Sequence, residues 1–236
     1  MARRSQTADP EGLRLKLVEL LEHLPERLRC GTVGEQVGGL VEAHHHLRDL
    51  GASIGAALAP HDSQSGRARL IAYLRHQVGR IVHTDELMIV AGINDYPRRI
   101  RELRAQEGWP ILSGFAARDL RADAAAHGDD RSAPSAMAVD EYLLIEDARD
   151  SDAPRRWQLA GDLRRRAASP REAVESLLRA APERRVSADE LRYAAKEQAD
   201  WVAAVRALRA ENWPIFAGVF GDDLPIGLFT YRPQDE

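Results

Sequence analysis

One segment of the chain occurs twice, and this duplication limits the possible folds more than any other feature. Residues 80–114 read RIVHTDELMIVAGINDYPRRIRELRAQEGWPILSG, and residues 184–218 read RRVSADELRYAAKEQADWVAAVRALRAENWPIFAG. Both copies contain the tripeptide Asp-Glu-Leu, then Arg-x-Leu-Arg, then Trp-Pro-Ile. Relative to the first copy, the second has one more residue between the two helices that follow the short strand, and one fewer residue before the tryptophan. Insertions and deletions of this kind belong in turns. We therefore predict a duplicated structural unit.

The spacing of apolar residues predicts the same order of elements in each copy. In the first, it indicates helices over 66–77, 84–91 and 95–107, a short extended segment over 80–82, and strands over 109–113 and 141–145. The polar stretch 114–140 between the strands is predicted to be a loop or disordered. In the second, it indicates helices over 170–181, 188–195 and 200–211, a short extended segment over 185–186, and strands over 213–219 and 227–231. The order helix, short strand, helix, helix, strand, strand is that of a winged helix.

The predicted fold class is mostly α with small β wings, formed by an N-terminal helical segment and two tandem winged helix-turn-helix domains. The predicted boundaries are 1–62 for the N-terminal segment, which is a candidate dimerisation element, and 63–147 for the first winged-helix domain. A polar, arginine-rich linker follows over 148–168, and the second winged-helix domain covers 169–236. Trp157 and Leu159 in the linker are expected to dock on a neighbouring element.

Two helices are predicted ahead of the repeat. The first starts at Gly12, and Pro25 is expected to break or kink it. The second carries an apolar seam in which steps of four and three residues alternate, as in a coiled coil. The seam consists of Val33, Val37, Leu40, His44, Leu47, Gly51, Ile54 and Leu58. It fits either a hairpin packed on the adjacent domain or an interface of a homodimer. We favour the homodimer, because a long apolar seam often needs a partner to cover it.

Composition and charge exclude several classes of protein. The formal net charge is -4, which argues against indiscriminate coating of nucleic acid but leaves room for a local basic face. No apolar run is long enough to span a membrane, and the polar start does not resemble a signal peptide. Cys30 is the single cysteine, so no intramolecular disulfide can form. These features predict a cytoplasmic protein with no membrane partner.

Motifs for catalysis, metals or cofactors are not found in the sequence. It has no glycine-rich phosphate loop, no HExxH and no cysteine pair. His44, His45 and His46 are consecutive, and consecutive helix residues point about 100° apart, so at most two could share an ion. The aspartates expected in loops lack the strand-borne acid and lysine of a magnesium-dependent nuclease; they are Asp119, Asp123, Asp129, Asp130, Asp222 and Asp223. We predict no catalytic residues, no metal and no cofactor, and we favour a protein that is not an enzyme.

The third helix of each copy is the predicted reader of double-stranded DNA. With Ile100 in the core, helical spacing places Leu103 and Tyr96 on the buried face and arginines on and around the opposite face. The candidate DNA-binding arginines are Arg98, Arg99, Arg101 and Arg104 in the first copy and Arg206 and Arg209 in the second. Arginine pairs with guanine edges and with phosphates. The alternative is a solvated basic face on a winged helix that binds protein, and the second copy, with Ala203 and Ala210 facing outward, fits both interpretations.

The first copy resembles the winged-helix modules beside HNH-type nuclease domains in bacterial restriction endonucleases. The resemblance rests on the Asp-Glu-Leu helix, Arg101-Glu102-Leu103-Arg104, Glu107-Gly108-Trp109-Pro110-Ile111 and a closing strand Asp140-Glu141-Tyr142-Leu143-Leu144. It covers roughly residues 65–146 and, more weakly, 170–232. In related modules of modification-dependent restriction enzymes an aromatic at the start of the third helix helps to read a methylated base, which implies this role for Tyr96 and Trp201. Periodicity gives both residues a second interpretation, as core anchors.

This chain departs from the family pattern where the nuclease should follow. A second winged helix is predicted in place of the HNH segment with its cysteines and histidines, which leaves recognition without cleavage. We therefore predict a DNA-binding protein, either a transcriptional regulator or a target-recognition component of a restriction or defence system. One alternative is a restriction endonuclease subunit with an unrecognised catalytic site, which could depend on a modified base. The other is a protein-binding scaffold.

Overall fold

The computed structural model describes residues 9–60, 64–128 and 136–233. Within this part, the chain is mostly helical with small antiparallel sheets. The helices are α1 (Pro10–Cys30), α2 (Val33–Leu58), α3 (Gly66–His76), α4 (Thr84–Ala91), α5 (Tyr96–Ala105), α6 (Gly114–His127), α7 (Ala153–Arg166), α8 (Pro170–Arg179), α9 (Ala188–Ala194) and α10 (Asp200–Ala210). The strands are β1 (Ile81–His83), β2 (Ile111–Ser113), β3 (Glu141–Leu144), β4 (Arg185–Ser187), β5 (Ile215–Ala217) and β6 (Leu228–Tyr231).

The chain divides into two compact units, and the division cuts through the first copy of the repeat. One unit contains residues 1–76 and 85–100, and the other contains 77–84 and 101–236. The first therefore holds α1, α2, α3 and most of α4, and the second holds both sheets and α6 to α10. Helix α5 continues across the boundary between residues 100 and 101.

Helices α1 and α2 form a hairpin in the first unit. The N-cap Asp9 starts α1, and Thr32 with Glu35 forms a capping box that starts α2. Pro25 was expected to break or kink α1, and the helix continues without a break from Pro10 to Cys30. The packing of the hairpin explains why the helix does not break, because Leu24 is buried against Gly39 of α2 and holds this turn in place.

Two glycines let α2 approach α4 closely. A Cβ atom on Gly51 would lie 2.7 Å from the carbonyl oxygen of Ile89, and one on Gly55 would lie 2.3 Å from that of Val90. Arg69 of α3 donates hydrogen bonds to the carbonyl oxygens of Val90 and Ala91 at the end of α4. Gly51, a member of the predicted seam, and Gly55 beside the seam therefore serve contacts inside the unit at this end of α2.

The second unit contains two sheets of the same topology. Their strand orders are β1-β3-β2 and β4-β6-β5, with antiparallel pairing throughout. Val82 pairs with Tyr142 in the first sheet, and Val186 pairs with Phe229 at the corresponding place in the second. One hydrophobic core joins β2, α6 and the second copy of the repeat in this unit. The two copies of the repeat are thus not separate in their packing.

Helix α6 replaces most of the stretch that was predicted to be a loop. Ser113 caps its start by accepting a hydrogen bond from the Ala116 amide, and Gly128, in the left-handed conformation, ends it. The buried face is built from small residues and one leucine, Ala116, Ala117, Leu120 and Ala124. The prediction of a loop was wrong because the stretch is rich in polar residues, and the small apolar residues at helical spacing give only a weak signal. Asp129 and Asp130 lie outside the described residues.

Helix α7 lies within the segment that was predicted to be a linker. It buries Ala153, Arg156 and Ala160 and packs against α8 and α9 of the second copy. The expected docking of Trp157 is observed as a tilted ring contact with Tyr193, at 5.4 Å between centroids. The segment is a structural part of the second unit, because Ala153, Arg156 and Ala160 are buried in it.

Candidate nucleic-acid interface

Helix α5 is amphipathic along its whole length. Ile100 and Leu103 are 1% and 0% exposed, whereas Arg98 and Arg101 are exposed. Residues three apart lie on the same side of a helix, so both arginines project from the side opposite Ile100 and Leu103. Tyr96 and Arg99 are half-buried, and each makes contacts within the chain.

Arg104 is the member of this group that is used inside the protein. Its Nε donates to the carbonyl oxygen of Ile111 at 2.8 Å, and its Nη1 lies 3.3 Å from Oδ1 of Asp189. Its side chain is only 13% exposed. It ties the end of α5 to β2 and to α9 of the second copy, a role that helical spacing alone did not indicate.

The aromatic residue at the start of α10 lies in the core. Trp201 is fully buried, its ring packs edge-on against Phe229, and its indole nitrogen donates to Oδ2 of Asp119 at 3.2 Å. This is the core-anchor position that periodicity offered as its second interpretation. The indole N–H needs an acceptor when buried, and α6 supplies it.

Helix α6 lies against α10 and holds one of its arginines, Arg206. Both Nε and Nη2 of Arg206 donate to Oδ2 of Asp123, at 2.9 and 2.6 Å. Asp119, one turn earlier on α6, also accepts from Nε of Arg192 at 3.0 Å. Arg209 pairs with Asp222 at 2.7 Å, in the turn after β5. The two arginines of the second copy therefore have carboxylate partners inside the protein.

The acidic residues of the second Asp-Glu-Leu motif are buried, and both accept hydrogen bonds from neighbouring elements. Asp189 accepts from the amide and hydroxyl of Ser113 at 2.9 and 2.7 Å. Glu190 accepts from Nε of Arg156 at 2.9 Å and closes a capping box with Ser187. Burial raises the pKa of Glu190, while the charge of Arg156 and the hydrogen bonds from Ser187 act in the opposite direction. This motif joins α9 to β2 and α7, contacts that no local sequence pattern indicates.

The structure also shows where the histidine triplet and the apolar seam of α2 lie. His44, His45 and His46 lie on α2, and the described residues contain no group of three or more His, Cys, Asp or Glu side chains placed to hold a metal ion. No described helix is long and apolar enough to cross a membrane. The apolar seam is largely exposed, with Val33 at 75% and Val37, Leu40 and Leu47 each at 53%.

Comparison with known proteins adds one finding. Residues 67–145 match the family model described as KpnI N-terminal domain, which links the protein to restriction-endonuclease-type proteins. The match begins in α3 and ends just after β3, so it includes α5 and covers less than half of the chain. It confirms the link to restriction enzymes that the first copy's motifs indicated. Neither a curated protein nor a solved structure matches the chain.

Proposed function

We propose that the chain is a double-stranded DNA-binding protein with tandem winged helices. It would act as a transcriptional regulator or as a target-recognition component of a restriction or defence system. The observation that carries the proposal is the match of residues 67–145 to the KpnI N-terminal domain, which spans α5 with Arg98 and Arg101. The element order of both copies and their matching sheets support the winged-helix assignment.

The proposed contact places α5 in the major groove. In a helix-turn-helix protein the second helix of the motif enters that groove, and arginine reads guanine edges or holds phosphates. Arg98 and Arg101 are one turn apart on the exposed side of α5, the spacing that lets two side chains reach one groove. Arg99 and Tyr96 would flank this contact, and Tyr96 is the candidate for contact with a modified base.

Alanine substitutions on α5 test the proposal. Selection from a random duplex pool, in methylated and unmethylated forms, first defines the bound sequence. Arg98→Ala and Arg101→Ala should then each weaken binding to it by about 1–3 kcal/mol if the lost contact is to a base. Arg155→Ala is the matched control, because Arg155 is an exposed arginine on α7. Equal affinity of both α5 variants and the wild type would exclude α5 as the reader.

A nuclease subunit is the second candidate, and the family match favours it because the match is to a domain of a restriction-endonuclease type. Incubating the protein with the selected duplex and Mg²⁺ separates the candidates. Site-specific cleavage by the wild type that is lost in Arg101→Ala would show that the protein is an endonuclease and not a regulator. One observation supports the alternative of a protein-binding scaffold: Arg206 of α10 already binds Asp123 of α6, so α10 makes protein contacts.

We further propose that the apolar seam on α2 joins two copies of the chain. The seam and apolar residues of α1 are exposed together, among them Leu15 at 53% and Leu21 at 46%. An exposed apolar surface of this length marks an interaction site, and the alternating steps of four and three suit a second helix of the same kind.

Sedimentation of charged variants tests the homodimer. Val37→Glu with Leu40→Glu should convert a dimer into a monomer, because two charges would enter the apolar contact. Weaker DNA binding should follow, since two linked sites bind together better than one. Glu42→Gln, on the same helix outside the seam, is the control. A wild-type chain that sediments as a monomer at high concentration would show that the seam does not pair two chains.

A further inference from the structure

A cavity of about 360 Å³ lies in the second compact unit. Its walls come from the turn between α5 and β2, the segment between β3 and α7, and β4 with α9. This volume falls within the range of roughly 300–1,000 Å³ that small-molecule sites occupy. The residues that line the cavity include neither Arg98 and Arg101 of α5 nor any residue of the α2 seam.

The cavity is lined by an unusual number of arginines. They are Arg104, Arg149, Arg156, Arg184 and Arg185, beside the rings of Trp109 and Trp157. Five carboxylates also line it, so the formal charges balance. Each guanidinium carries five N–H donors, however, whereas an ion pair with one carboxylate uses only one or two of them. Ion pairs with these carboxylates therefore do not use every N–H donor of the lining arginines.

Two of these arginines hold donors that the protein leaves unused. The Arg156 side chain is 7% exposed; its Nε donates to Glu190 and its Nη2 to Asp150, while Nη1 is buried without a partner among the described residues. Arg104 donates through Nε to Ile111, and its Nη2 is likewise buried without a partner there. Buried donors in native proteins are nearly always satisfied, so each of these N–H groups is expected to meet an acceptor, either an ordered water or a ligand atom.

The remaining arginines stand at the open side of the cavity. Arg149, Arg184 and Arg185 are 57%, 68% and 51% exposed and pair with Glu107, Asp152 and Glu146, respectively. Exposed pairs of this kind contribute little to stability and exchange partners readily. Arg184 and Arg185 are adjacent and both reach the cavity lining, so an entering anion could meet two guanidinium groups.

We propose that this cavity binds a phosphate group, which Arg184 and Arg185 meet at its open side and which draws on the unused donors of Arg156 and Arg104. Phosphate offers oxygen acceptors and a negative charge, and it forms strong charge-assisted hydrogen bonds with arginine. Trp109 and Trp157 would contact whatever carries the phosphate. The group could belong to a free mononucleotide or to the end of a nucleic-acid strand. This site goes beyond the proposed reading of DNA by α5.

Thermal unfolding of the full chain with inorganic phosphate tests the site, with sodium chloride at equal ionic strength as the reference. Phosphate at ten times its dissociation constant should raise the Tm by about 3–6 °C. The double variant Arg184→Gln, Arg185→Gln should lose most of this rise. Arg165→Gln should keep it, because Arg165 is a similarly exposed, ion-paired arginine on α7 that does not line the cavity.

Two further ligands identify the source of the phosphate group. A deoxymononucleotide that stabilises more than its nucleoside indicates a free nucleotide, and a short duplex with a 5′-phosphate that binds more tightly than the same duplex without it indicates a strand end. Either difference must disappear in the double variant. No stabilisation of the wild type by any of the phosphate ligands, or the same stabilisation in the double variant, would overturn the proposal. Binding of the selected duplex through α5 should persist in the double variant, which separates this test from that of the proposed function.

Discussion

The two copies of the repeat share their strand order but place their third helices in different surroundings. In the first copy, Arg98 and Arg101 of α5 are exposed. In the second, α6 lies against α10, and its Asp123 holds Arg206 through two N–H groups. The aspartate occupies the guanidinium much as a phosphate would. A duplicated basic helix can thus form an exposed surface in one copy and an internal contact in the other.

The Asp-Glu-Leu tripeptides show the same division of roles. Asp85 and Glu86 are exposed, and Glu86 accepts a hydrogen bond from the hydroxyl of Tyr73 on α3. Asp189 and Glu190 are 8% and 1% exposed and bind Ser113, Arg104 and Arg156. The second tripeptide therefore anchors neighbouring elements, while the first remains on the surface.

Removing the aspartate from each copy should give the largest difference between them. Asp189→Ala deletes a buried carboxylate and leaves the amide of Ser113 and the charge of Arg104 without their acceptor. Breaking a buried pair in this way costs about 3–5 kcal/mol. Asp85→Ala changes an exposed side chain, and about 0–1 kcal/mol is expected. Urea unfolding followed by circular dichroism measures both, and a similar loss in the two variants would show that the copies are used alike.

The salt dependence of DNA binding should differ between variants of the two third helices, α5 and α10. Each phosphate contact that is lost lowers the slope of log K against log salt by about 1. Arg101→Ala should reduce the slope by this amount if Arg101 contacts a phosphate, and by less if it contacts a base. Arg206→Ala should leave the slope unchanged, because Arg206 already pairs with Asp123. Equal reductions in both variants would mean that α6 moves away and that α10 also binds DNA.

Asp123→Asn provides the complementary measurement on the same pair. It keeps the shape of the α6 contact but removes the charge that holds Arg206. If the contact only joins two elements, stability should fall by about 1 kcal/mol while DNA affinity stays constant. A gain in DNA affinity would instead show that α6 restrains a second DNA-binding surface.

Local sequence signals predicted the repeated elements well, because those elements begin at caps and carry apolar residues at regular steps. Ser169 caps α8 as the sequence pattern predicts, and Ser187 caps α9 in the same way. The errors fall where tertiary contacts decide the structure. Helix α6 has few large apolar residues, and its stability comes from the core that it shares with the second copy. The role of Asp189 depends on Ser113, 76 residues earlier, a separation that no local pattern reveals.

The candidate DNA-binding residues could likewise be predicted only where the contacts are local to one helix. Helical spacing correctly placed Arg98 and Arg101 on the outer side of α5, since that side is defined by Ile100 and Leu103 on the same helix. Spacing could not distinguish Arg104 from them, because its burial depends on Ile111 and Asp189. It also could not reveal the arginine-lined cavity, whose walls come from both copies and from the segment between them.

The smallest expected effect concerns backbone conformation at matching turns. Gly79, Gly92 and Gly108 have φ values of 76°, 61° and 75°. The corresponding residues of the second copy, Glu183, Lys196 and Asn212, keep this left-handed conformation at 60°, 59° and 67°. A residue with a side chain is strained there, whereas glycine is not. The second copy therefore retains the turns of the first at a cost in free energy of folding.

Exchanging the residues at the first of these turns measures that cost. Glu183→Gly should increase the free energy of unfolding by about 0.5–1 kcal/mol, because the strain relieved exceeds the added freedom of the unfolded chain. Gly79→Glu should lower it by a comparable amount, since no atom within 4 Å would meet the new Cβ and the change is one of conformation alone. Opposite signs in urea unfolding are the expected result. A destabilising Glu183→Gly would mean that the Glu183 side chain stabilises the turn by more than its strained backbone costs.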